Sequence, residues 1–95
     1  MKIFWTKTAE KHLDSIYNFI SLTSPQYAIQ MVDRITKRSK QLSDFPFSGR
    51  KVPEYRTHQI RELIEAPYRI IYYVEPNQID ILAVIHSHRQ ITEYS

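Results

Sequence analysis

The chain contains no cysteine, a single glycine and no long apolar run. Without cysteine, neither a disulfide framework nor a thiolate metal site can form, and the lack fits a reducing compartment. With Gly49 as the lone glycine there is no glycine-rich phosphate loop. No stretch nears the ~20 apolar residues that a membrane span needs. The opening MKIFWTKTAEKH turns polar too early for a signal peptide. A nucleophile elbow and paired carboxylates at catalytic spacing are also missing, which argues against covalent catalysis. The expectation is a cytoplasmic protein with no membrane association and no cofactor.

The 95 residues are read as one domain, 1–95. A chain of this length buries only roughly 60–65% of the surface its unfolded form exposes, so the core is modest. The net charge of +3 is unevenly spread. Between Arg34 and Arg61 there are eight Lys or Arg against Asp44 and Glu54, a net of +6; the remainder holds five bases against eight acids, a net of −3. This asymmetry points to an acidic partner, nucleic acid or protein, or to a solvated basic face.

Lys2 to Trp5 has the aromatic and branched residues of a short strand. Ala9, Leu13, Ile16, Tyr17 and Ile20 recur at helical spacing and predict a helix over Ala9 to Leu22, with Thr6 or Thr8 as its cap. Ser24-Pro25 restarts the chain as cap and first helical residue, and a second helix is expected from Pro25 to Ser43. So short a joint folds the two back as an antiparallel hairpin. The segment DFPFSGRKVPEYRTHQ lacks periodicity and reads as a long loop.

Three strands follow. Ile60 to Glu65 alternates, with Ile60 and Ile64 on one face and Arg61 and Leu63 on the other. Tyr68 to Val74 places Arg69, Ile71 and Tyr73 together, opposite Tyr68, Ile70, Tyr72 and Val74. Ile79 to Ile85 is nearly all apolar, as a central strand is. The order β-α-α-β-β-β predicts an α+β fold: a helical hairpin on a four-stranded, mainly antiparallel sheet.

Arg69 lies mid-strand among apolar residues, so it needs an anion: either Glu62, Glu65 or Asp80 of this chain, or a ligand phosphate. His86 and His88 share one side of the last strand if it persists, suited to proton transfer near neutral pH. As metal ligands they lack an evident third partner, and no metal is expected. His12 and His58 belong to no recognisable constellation. Tyr94 in the tail either packs on a strand or stacks on a base. Arg50, Lys51, Arg56, Arg61 and Arg89 are the candidate substrate-binding cations. Bases with histidine suit metal-free cleavage of RNA, in which protons move and phosphate charge is neutralised.

Taken in order, the loop FPFSGRKVPE, the phrase IRELIEAPYRIIYYVE and the ending ILAVIHSHR resemble the RelE/ParE toxins of type II toxin–antitoxin modules, over Lys2 to about Arg89. The resemblance implies a growth-inhibiting toxin held in a heteromeric complex by a cognate antitoxin with an acidic, amphipathic segment. Two targets follow from it. RelE-like members cleave mRNA on the ribosome without a metal, which would make Arg69, His86 or His88, and Tyr94 catalytic. ParE-like members poison DNA gyrase by binding, which leaves Arg69 structural. A toxin reduced to antitoxin binding is a third possibility.

Overall fold

The computed structural model describes residues 1–89. The elements are β1 (Lys2–Trp5), α1 (Lys7–Ser21), α2 (Pro25–Lys40) with a 3₁₀ turn at Gln41–Ser43, β2 (Arg50–Lys51), β3 (Ile60–Glu65), β4 (Tyr68–Val74) and β5 (Gln78–His86). They form a five-stranded sheet in the order β1-β5-β4-β3-β2. β1 runs parallel to β5, and every other pairing is antiparallel. The fold is therefore the expected α+β arrangement, with one correction: five strands rather than four. The extra strand is the two-residue β2, too short to show a period, lying inside the segment expected to be loop.

Local chemistry explains the helix ends. The Thr6 hydroxyl accepts the Ala9 N–H at 3.2 Å and also donates to the Ile81 carbonyl at 2.8 Å. One side chain thus caps α1 and ties it to β5. Ser24 caps α2 through the Tyr27 N–H, and Pro25 occupies the first turn, where no N–H is needed. Lys37, Arg38 and Lys40 in the last turn suit the negative end of the helix dipole. The helix expected to reach Ser43 tightens into the 3₁₀ turn after Lys40.

The hairpin covers one sheet face. Ala9, Ile16 and Ile20 of α1 and Ala28, Met31 and Ile35 of α2 pack on Leu63, Ile70, Tyr72, Ile79, Ile81 and Val84. Each buried aliphatic side chain contributes about 1.5–3 kcal/mol against leaving it in water. A register shift beside Ile71 and Tyr72 pairs Tyr72 with Ile81 and Ile71 with Ala83, so Leu82 is an extra residue in β5. Ala83 consequently faces the other side of the sheet. There it packs with Val52 and Ile71, flanked by Tyr55 and Ile60. The segment after β2 thus roofs the second face.

The chain entering β2 is anchored too. The Gly49 N–H donates to the Tyr72 hydroxyl at 2.9 Å. A Cβ on Gly49 would lie 2.5 Å from the Glu62 carbonyl oxygen and 2.6 Å from the Tyr72 hydroxyl, so close approach alone demands glycine. No helix among the described residues is long and apolar enough to cross a membrane.

Candidate functional site

Arg69 on β4 is opposite Ile64 of β3, and Glu62 is opposite Ile71, which makes Arg69 and Glu62 diagonal neighbours on one face. The Arg69 Nε donates to Glu62 Oε1 at 2.6 Å. Its Nη1 and Nη2 grip Glu54 at 3.0 and 2.9 Å, and Nη1 also donates to the Arg89 carbonyl at 2.9 Å. Arg50 Nε completes the chain by donating to Glu62 Oε2 at 2.5 Å. Arg69 is 5% exposed and Glu62 is 1% exposed. The hydrogen bond to Glu54 raises the Arg69 guanidinium above its ordinary value; burial opposes this, and Glu62 reinforces it.

Of the three acids weighed as partners for Arg69, Glu62 is the one used. Glu65 lies on the opposite face of β3, where Arg34 of α2 reaches it at 2.8 Å. Asp80 lies opposite Tyr73 and accepts from Gln78 at 2.6 Å. Glu54 was not foreseen as a partner. Its one sequence signal is that it stands, with Asp44, as an acid in a basic window.

A groove of about 430 Å³ opens over this network. Arg50, Pro53 and Glu54 bound one side; Arg69, Ser87, His88 and Arg89 bound the other. Four of the predicted site residues, Arg50, Arg69, His88 and Arg89, therefore meet there. His86 stands beside them. Its ring lies edge-on to Tyr68 at 5.9 Å and 5.2 Å from the His88 ring, and its Nδ1 accepts the His88 N–H at 3.3 Å. Neither histidine forms an ion pair with a described carboxylate.

Lys51 and Arg61 do not line this groove. They are cross-strand partners in β2 and β3, one residue out of phase with Arg50 and Glu62, and so lie on the other face. Arg56 is exposed. Tyr94 lies outside the described residues. No cluster of three or more His, Cys, Asp or Glu placed to hold a metal occurs among the described residues.

A second groove, of about 410 Å³, separates α1 from the end of the sheet. His12, Ile16 and Phe19 form one wall, and Tyr68, Ile85 and His86 the other. Phe19 is 73% exposed, and Leu22, three residues on, is 82% exposed. His12 is fixed there by the Val84 N–H, which donates to its Nδ1 at 3.2 Å.

Known proteins share this architecture. The family described as "ParE toxin of type II toxin-antitoxin system, parDE" matches residues 3–91. A Sinorhizobium fredii (strain NBRC 101917 / NGR234) protein named "Putative toxin Y4kP" is 36% identical over 91 residues, covering 94% of this chain and 91% of the relative. A solved structure titled "Chromosomal ParDE TA system from P. aeruginosa" is 28% identical, with a TM-score of 0.75 over 90% of this chain and 95% of that one. With the sequence phrases, the fold and these matches in agreement, the chain belongs to the ParE toxin family of type II toxin–antitoxin systems.

Proposed function

We propose that this toxin stops growth by binding DNA gyrase, not by cutting RNA, and that an antitoxin with an acidic amphipathic segment restrains it. The observation that carries the proposal is the state of Arg69. Each nitrogen of its guanidinium already donates to Glu62, Glu54 or the Arg89 carbonyl. To hold a scissile phosphate it would have to give up charge-assisted bonds and leave Glu62 with Arg50 alone, deep in the sheet. A structural arginine that locks the roof segment and the chain after β5 onto the sheet fits the contacts better.

Metal-free mRNA cleavage has one observation in its favour: Arg50, Arg69, His88 and Arg89 share a groove. For the antitoxin, the groove beside α1 offers an apolar floor, with His86 and Arg89 among its lining residues. A segment that folds on binding suits such a surface.

Titrating the purified chain into a gyrase supercoiling reaction, and separately into programmed ribosomes, tests the proposal. Lost supercoiling with intact mRNA is expected. Cut mRNA with unimpaired gyrase would replace this reading with the nuclease.

A further inference from the structure

We propose that the surface formed by Phe45, Phe47, His58, Arg61 and Lys51 is a binding platform for single-stranded nucleic acid. Phe45 is 65% exposed and Phe47 46% exposed, so neither ring does much for the core. A depression of about 440 Å³ follows Asp44 to Ser48 between them. The backbone that carries both rings is nevertheless held in place. The Phe45 N–H donates to the Gln41 carbonyl at 2.9 Å, the Ser48 N–H donates to the Phe45 carbonyl at 3.1 Å, and Gln41 Nε2 donates to the Ser48 hydroxyl at 3.0 Å. Aromatic surface presented this way loses little freedom when a partner arrives.

The cations beside the rings are arranged against the chain's own interest. Lys51 and Arg61 are directly opposed across β2 and β3, where like charges destabilise a sheet. Neither forms an ion pair with a described carboxylate. Arg61 instead donates to the carbonyls of His58 and Gly49 at 2.9 and 3.1 Å, and its guanidinium carbon lies 5.2 Å from the Phe47 ring centroid. His58 stacks on Phe47 at 4.9 Å and 28°. The result is a π-stack edged by positive charge, with Asp44 as the acid among the residues lining the depression.

An extended anion with planar faces satisfies both halves of this surface. Bases stack on exposed rings whatever their sequence, while phosphates follow the cations. A duplex hides its base faces, and a purely acidic peptide would use the charges but not the rings. The inference is independent of whether gyrase is the target.

Fluorescence anisotropy of a labelled oligothymidylate with the full chain tests it. Binding is expected, with log affinity falling linearly in log salt. Phe45→Ala should weaken it about tenfold, and Lys51→Ala should reduce the salt slope by about 0.7. Both changes are on exposed side chains, so the fold is retained; Lys11→Ala on exposed α1 surface should change nothing. The proposal is overturned if no binding is seen at low salt, or if the ring and Lys51 variants bind like the parent. It is equally overturned if Lys11→Ala weakens binding as much as Lys51→Ala, or if duplex DNA or oligoglutamate binds as tightly.

Discussion

Arg69 and Glu62 form a 2.6 Å ion pair across the diagonal of β3 and β4, with side-chain exposures of 6% and 0%. Glu54 closes the other side of the guanidinium at 2.9 Å. A pair this deep is costly to break, because the survivor keeps its charge and loses its partner. Arg69→Ala should therefore lower stability by about 3–5 kcal/mol. Glu54→Gln, at the edge of the network and still able to accept, should cost about 1 kcal/mol. Urea denaturation midpoints of the two variants would show the ranking; equal midpoints would mean that Arg69 is not the keystone of the second face.

Gly49 is needed for space and not for an unusual backbone angle. Its backbone has no positive φ, yet an added methyl would meet the Glu62 carbonyl at 2.5 Å. Gly49→Ala should destabilise by about 1–3 kcal/mol, as overpacking does. The same denaturation series checks this, and an unchanged midpoint would show that β2 swings clear at little cost.

Both helices and the three long strands are legible in the sequence, because the helices leave a period of three to four, β3 alternates, and β4 and β5 are mostly apolar runs bounded by turns. The second face of the sheet is less so. Its cover, Val52 and Tyr55, sits in a stretch too short to repeat, and β2 consists of two exposed cations. Arg69 is identifiable as an arginine in need of an anion, and Glu62 as one choice, since both lie on alternating strands. Glu54 is not, because a loop residue's direction depends on how the loop folds back. The split of the cations into two sites follows from the strand register, with Arg50 and Lys51 pointing to opposite faces.

Alkaline pH should reveal the buried tyrosines. Burial lifts the Tyr72 phenol above its ordinary value of 10.0, outweighing the lowering by the Gly49 N–H and by Arg61. Tyr68 is lifted too, by burial and then by Tyr27. The folded chain thus holds these protons more tightly than the unfolded chain. Their contribution is fully present below pH ~10 and is lost as pH rises from there through the raised values. Denaturation midpoints should fall in that window, and less steeply for Tyr72→Phe. A parent protein with no such fall would contradict the burial of these phenols.

His86 and His88 are exposed, so replacing them leaves the fold alone. If the toxin binds and does not cleave, the double change His86→Gln with His88→Gln should preserve growth arrest on induction. Loss of arrest with normal protein levels would return both to a chemical role.

Binding without cleavage is most directly tested by inducing the toxin without its antitoxin and mapping the 5′ ends of cellular mRNA while gyrase–DNA cleavage complexes are trapped in parallel. Accumulated gyrase complexes beside an undisturbed 5′-end profile are predicted. Cuts at defined positions within translated codons, with no trapped gyrase, would contradict it.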